Sequence, residues 1–267
     1  MTYIDALILG LLQGLTEFLP VSSSGHLIIA RELLGLQTDF GLGVDAILHF
    51  ATALAVIIYF RKDLLELLIG LKNIVIGKEV EKQTRTLLWA LAIGTIPAVV
   101  LGLLLESKIV TAFRAPELVA WILVLGSLLF AVAEKASSKL SEKKELTVKK
   151  GVAVGFFQAL AIFPGMSRSG ATISGGMLMG LTREAAARLA FLLSLPIIIG
   201  AGSKKLLDLG GAGLQQDEWF VILFGVLVAF ASGLLCIHYL LRFLKKHTLH
   251  VFIVYRLVLA FTVFLFI

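Results

Sequence analysis

The chain has 267 residues, 58% of them apolar and only 16% charged, with a mean hydropathy of +0.97. A soluble domain of this length would carry about 45–50% apolar and about 25% charged residues. A water-soluble fold is therefore excluded, and the surplus apolar surface must face lipid. The formal charge of +6 does not point to nucleic acid, because the basic residues sit in short loops between apolar runs.

At about 20 residues per spanning helix, one membrane domain can hold about six to eight segments. The single cysteine, Cys236, permits no disulfide framework. The first basic residue is Arg31, so a cleaved basic leader is not expected.

In chain order, Tyr3–Leu36 is apolar but broken near its middle by Pro20-Val21-Ser22-Ser23-Ser24-Gly25. Each half is too short to span alone, which predicts a re-entrant helix–loop–helix hairpin. Gly43–Phe60 predicts the first full span, and Leu64–Ile76 an amphipathic helix at the inner surface. Spans follow at Thr86–Leu105 and Glu117–Glu134. After the basic stretch Lys135–Lys150, Gly151–Leu181 is a second broken region, interrupted by Pro164-Gly165-Met166-Ser167-Arg168-Ser169-Gly170. Ala186–Gly202, Glu218–Leu241 and His250–Ile267 complete six spans. Pro97 and Pro196 are expected to kink theirs, and the Gly-rich Leu209–Gly213 stretch reads as a loop.

The two broken regions match without a gap at an offset of 145 residues: Gly10/Gly155, Gln13/Gln158, Phe18/Phe163, Ser22/Ser167, Ser24/Ser169, Gly25/Gly170, Ile28/Ile173 and Gly35/Gly180 are among the identities. Each copy precedes three spans, an odd number, so the second copy is inverted relative to the first. The expected fold is all-α and integral to the membrane: an inverted-topology repeat of six transmembrane helices plus two re-entrant helix–loop–helix hairpins. It forms one membrane domain, 1–267, with repeat one at about 1–135, repeat two at about 150–267 and a basic cytoplasmic linker, 135–150. Basic residues crowd Arg61–Arg85, Lys135–Lys150 and Arg242–His247. The alternate loops hold only Lys108 with Arg114 and Lys204 with Lys205. That alternation places both termini outside, opens the first hairpin outward and the second toward the cytoplasm.

Charges inside apolar segments mark function. Gln13 and Glu17 share a helix face, Pro20 ends that half-helix, Ser22–Ser24 stand where N-caps belong, and His26 follows in the next first turn. Arg168 is the one charged residue between Lys150 and Arg183 and needs an anionic partner. A phosphate suits its planar fork. An Arg168–Glu17 ion pair that only locks the hairpins is the alternative. Around these charges Ser22, Ser24, Gly25, Ser167, Ser169, Gly170 and Thr172 offer hydroxyls and helix N-terminal N–H groups as a phosphate cradle. Carboxylate, imidazole, guanidinium and hydroxyls together suit phosphoryl transfer. His49 reads as a packed polar residue, and His238, His247 and His250 as residues facing headgroups. No Cys/His spacing suggests zinc.

These motifs, Gln13–His26 with L-P-V-S-S-S-G-H and Pro164–Thr172 with P-G-M-S-R-S-G-A-T, closely resemble the undecaprenyl-diphosphate phosphatase, or bacitracin-resistance, family. Ser174–Leu181 and Tyr255-Arg256 add to the likeness, which covers essentially the whole chain. The resemblance implies hydrolysis of undecaprenyl diphosphate to the monophosphate with Mg2+ or Ca2+ assistance, recycling the lipid carrier of cell-wall synthesis. It implies Glu17, with Gln13, at the cation, although the family often has Glu where Gln13 stands. On the residues themselves, Glu17 is read as the main anionic ligand of the cation, as a base or as the group that orients His26, His26 as base or nucleophile, Ser23 as the alternative nucleophile, and Arg168 as the phosphate clamp. The expected setting is the plasma membrane, crossed several times, with the site toward its extracytoplasmic face. Its partners are the polyprenyl diphosphate and the bilayer, with no nucleic acid. Oligomeric state is left open, a homodimer included. A polyprenyl-phosphate transporter or flippase would use the same repeat and anion site; it would not need His26 and the serines beside the clamp.

Overall fold

The computed structural model describes residues 1–35, 41–113, 115–138, 145–210 and 216–266. Arg114, the middle of the Lys135–Lys150 linker and the Gly211–Gly213 end of the glycine-rich stretch lie outside the described residues.

Every regular element among the described residues is helical. The first hairpin is α1 (Tyr3–Phe18) and α2 (Ser23–Leu34); α3 (Gly41–Tyr59), α4 (Arg61–Val75), α5 (Lys82–Ala112) and α6 (Pro116–Ser138) follow. The second hairpin is α7 (Val148–Ala159), a 3-10 turn (Leu160–Ile162) and α8 (Arg168–Leu178), followed by α9 (Arg183–Gly210), α10 (Gln216–Leu244) and α11 (His250–Phe266). Local sequence accounts for the ends. Thr2 and Asp5 form a reciprocal capping box on α1, and α1 stops at Phe18, ahead of Pro20. Gly35 closes α2 with φ 63, a left-handed value that favours glycine.

Among the described residues four helices are long and apolar enough to cross a membrane: Lys82–Leu105, Pro116–Ser138, Arg183–Ser203 and Glu218–Leu244. A fifth is counted if α3 and α4, bent by 78° at Phe60, are one broken span. The His250–Phe266 helix is apolar but shorter. The six expected spans thus coincide with helices, of which four or five reach membrane length on these terms. Helices α5 and α9 continue through Pro97 and Pro196. The expected amphipathic segment is α4, which turns aside from α3, buries Leu67 and Gly70, and leaves Leu65, Leu68 and Leu71 exposed.

Packing repeats the internal likeness. Helix α1 lies along α10 and α7 along α5, while α3 packs on α9 and α6 on α11. Small residues permit the first two approaches. A Cβ on Gly10 would stand 2.6 Å from the Gly225 carbonyl oxygen, and one on Gly155 would stand 1.9 Å from that of Gly94. These are the same repeat position in both copies, each against a glycine of the partner helix. A core of Phe18, Val56, Phe60, Phe130, Ile173 and Phe191 fills the centre. At one end, Glu134 accepts from Arg183 Nε (2.8 Å) and from the Leu249 N–H (2.7 Å), tying α6, α9 and the start of α11 together.

Candidate active site

The hairpin tips meet through a buried carboxylate. Glu17 closes the last turn of α1 and is 7% exposed, so its charge needs donors on every side. Its Oε1 accepts from Arg168 Nη2, across 151 residues of sequence. Its Oε2 accepts from Ser23 Oγ (2.7 Å) and Gln13 Nε2 (2.9 Å). His49 Nδ1, reaching in from α3, lies 3.0 Å from the same Oε2 and 2.8 Å from Gln13 Nε2. The anticipated ion pair therefore exists. It engages one side of the Arg168 fork, and the remaining N–H groups of that guanidinium form no bond among the described residues.

The tips themselves are built alike. Ser22 (φ 77) and Ser167 (φ 72) are the two non-glycine residues with positive φ among the described residues. Each caps its helix, Ser22 Oγ accepting from the Gly25 N–H (3.2 Å) and Ser167 Oγ from the Gly170 N–H (3.1 Å). These two serines, expected at phosphate, use their hydroxyl oxygens as cap acceptors, which leaves the O–H of each as a donor. Ser24 Oγ lies 3.4 Å from Ser22 Oγ, Ser169 Oγ donates to the Leu19 carbonyl at 3.1 Å, and buried Thr172 donates back to the Arg168 carbonyl at 2.7 Å. Gly170 is there for space: a Cβ would stand 2.0 Å from the Phe130 ring. Gly25 likewise faces Val119 and the cap oxygen at 3.2 Å.

His26 departs from expectation. Glu17 does not orient it. Its Nδ1 lies 2.8 Å from the Ser22 carbonyl, which can only accept, so Nδ1 carries the hydrogen. Nε2 is then the bare nitrogen and accepts from the Tyr255 hydroxyl at 2.7 Å. The next residue on α11, Arg256, is fully buried. It donates to the Leu123 carbonyl (3.0 Å), the Gly165 carbonyl (2.9 Å) and Ser127 Oγ (3.2 Å), with its guanidinium 4.7 Å above Phe130. Adjacent residues of α11 thus hold both tips, Tyr255 the first and Arg256 the second. Sequence reasoning missed His49 and the role of Tyr255. The Tyr255-Arg256 dipeptide was the available signal for the second, and nothing local marked the first.

A cavity of about 10 Å³ borders Glu17, Arg168, Ser169 and Ser194, room for about one water. Among the described residues no group of three or more His, Cys, Asp or Glu could hold a metal ion. The donors at Glu17 nevertheless fit Mg2+ or Ca2+ as a shared site. They offer one carboxylate, and Gln13 Oε1 is a buried oxygen with no hydrogen-bond partner. Hard cations take oxygen ligands, and Mg2+ completes its shell with water and substrate phosphate.

The family profile described as "Bacitracin resistance protein BacA" matches residues 6–262. The chain belongs to that family. It is 42% identical to an undecaprenyl-diphosphatase of Thioalkalivibrio sulfidiphilus over 267 residues, the whole of both chains. It is 40% identical to one of Rubrobacter xylanophilus over 259 residues, 96% of this chain and 95% of that one. A third, from Thermobifida fusca, is 42% identical over 261 residues, 97% of this chain and 88% of the relative. BacA membership and the membrane-length apolar helices together make this a multi-pass membrane protein.

Proposed function

We propose that this BacA-family chain is a phosphatase that hydrolyses the phosphoanhydride of undecaprenyl diphosphate, releasing undecaprenyl phosphate and inorganic phosphate. The observation that carries the reading is the convergence on Glu17 of Arg168 from one hairpin and Ser23 from the other. A phosphate clamp and a nucleophile with its base then share one point. The name carried by its full-length relatives supports the same substrate.

In the resting chain Arg168 is held by Glu17, and the cavity beside them is too small for a diphosphate. The incoming phosphates take the free side of the Arg168 fork and draw the guanidinium from the carboxylate. The N–H groups of Ser23 and Ser24 in α2 and of Arg168 and Ser169 in α8, which precede the capped Gly25 and Gly170, and the hydroxyls of Ser24 and Ser169 complete the cradle. Ser23 Oγ attacks the terminal phosphorus while its proton passes to Glu17. The anhydride P–O bond breaks, and undecaprenyl phosphate leaves as an anion that needs no acid. A water then attacks the phosphoserine, giving its proton to His26 Nε2 as Tyr255 yields. Glu17 returns the serine proton, phosphate departs, and His26 releases its proton to solvent, restoring the resting site. Glu17 and Gln13 would hold the divalent cation, which supplies charge neutralisation on the phosphates.

The finer architecture belongs to the same reading: six spans and two re-entrant hairpins, in inverted halves of about 1–135 and 150–267. The offset repeat, the alternating basic loops and the matched packing of α1 on α10 and α7 on α5 support it. The outward-opening first hairpin puts the site toward the extracytoplasmic face of the plasma membrane. The test is phosphate release from undecaprenyl diphosphate by purified protein, with and without chelator. Turnover that the chelator suppresses is expected. Binding without phosphate release would overturn the enzyme reading.

A further inference from the structure

We propose that His49 is a positioning residue of this site, holding Glu17 Oε2 in place while Arg168 leaves Oε1 for the substrate. The inference rests on the phosphatase reading above.

Three polar atoms stand together: Glu17 Oε2, Gln13 Nε2 and His49 Nδ1, at 2.9, 2.8 and 3.0 Å from one another. The carboxylate only accepts and the amide nitrogen only donates, so the ring nitrogen decides the arrangement. A bare Nδ1 would turn its lone pair on the carboxylate. An Nδ1–H instead gives Glu17 a charge-assisted bond, roughly twice the strength of a neutral one, which outweighs the neutral bond that Gln13 Nε2, 2.8 Å away, could give only to a bare Nδ1. With Ser23 and Gln13, the imidazole then makes three donors on Oε2, from three separate places in the chain. Oε1 has Arg168 alone. The anchorage is lopsided, and the lopsidedness matters to turnover. When phosphate draws Arg168 off, a carboxylate held by one edge keeps its direction toward Ser23. Without His49 that edge loses its only donor from α3, and the carboxylate is free to follow the guanidinium.

The repeat supplies a second, independent observation. At the 145-residue offset, Gln13 corresponds to Gln158, Glu17 to Ile162 and His49 to Ser194. Gln158 Nε2 donates to the Leu193 carbonyl, so α7 meets α9 at the level where α1 meets α3. The glutamine is kept in both copies. The imidazole stands only in the copy that has the carboxylate, and the other copy fills the equivalent place with a serine. His49 therefore follows the charge and not the packing. It also makes up for Gln13, which gives Glu17 a donor but adds no second carboxylate.

The experiment uses the full-length chain in phospholipid vesicles, comparing His49→Ala and His49→Asn, whose Nδ2 can stand near Nδ1. Turnover number, KM for undecaprenyl diphosphate, substrate binding and the thermal transition are measured for each. His49→Ala should lose about 10–100-fold in turnover, the usual cost of removing a supporting partner, with KM and binding within about threefold. His49→Asn should regain most of it. Wild-type turnover in His49→Ala would overturn the proposal, and so would an Asn variant no better than Ala. A turnover loss matched by lost binding and a lowered thermal transition would overturn it too, as a packing defect. If the unmodified chain released no phosphate, the phosphatase reading would be what failed.

Discussion

At the first hairpin tip Ser22 sits at φ 77 and caps α2 through Gly25; at the second, Ser167 sits at φ 72 and caps α8 through Gly170. The backbone solves one problem twice, reversing an apolar chain while leaving a helix N-terminus pointing into the protein. The side chains between these matched points differ where chemistry needs them to. Ser23 of the first tip corresponds to Arg168 of the second, His26 to Ala171, and Glu17 to Ile162. Positions that shape the tip are shared, and the positions proposed to act on phosphate are divided between the copies. In the proposed reaction one copy supplies nucleophile, base and imidazole, and the other the guanidinium. A symmetric dimer of either copy would hold like charges together, so the asymmetry is what lets the tips meet on a single ion pair.

That division is sharpest at the pair Ser23 and Arg168. Ser23→Ala removes the hydroxyl that Glu17 already holds at 2.7 Å and should bring phosphate release to background while undecaprenyl diphosphate still binds. Wild-type release from Ser23→Ala would pass the nucleophile's role to His26, and the first tip would have to be read differently. The second tip is tested by Arg168→Lys, which keeps the charge and loses the fork. Turnover should fall on the order of 10²–10³-fold, because a point charge cannot hold Glu17 on one side and phosphate on the other. Near-normal turnover there would mean the ion pair alone is what the second copy contributes.

Much of this was legible in the amino-acid order, for a physical reason. Glu17 and Arg168 stand out because a charge in an apolar segment is costly and therefore rare. The S-x-S-G register stands out because cap and turn residues are chosen by local geometry. His49 was not legible. It lies 32 residues from Glu17 on another helix, and a lone histidine in an apolar run looks like packing until α3 is laid against α1. His26 was legible as a candidate but not in its orientation, since Tyr255 comes 229 residues later. The span count differs from the six expected where α3 bends into α4 by 78° and where the apolar α11 is shorter than a full span.

The smallest expected effect bears on the shared positions. Ser22→Ala and Ser167→Ala each delete a cap at equivalent points, so each should cost about 1 kcal/mol of stability and lower the thermal transition by a few degrees. The two losses should agree, because the caps are equivalent in geometry: 3.2 and 3.1 Å, with φ 77 and 72. Turnover should stay within about threefold of normal, since the cap uses each hydroxyl as an acceptor and Arg168 and the helix N–H groups carry the phosphate without it. Ser22→Gly separates the two contributions further. Glycine also lacks the cap oxygen, but it adopts positive φ without strain, so it should be milder than alanine at the same place. The comparison breaks if Ser22→Ala loses about 100-fold in turnover with an unshifted thermal transition and Ser167→Ala does not. The Ser22 hydroxyl would then leave its cap during the reaction, and the two tips would differ even in the residues that build them.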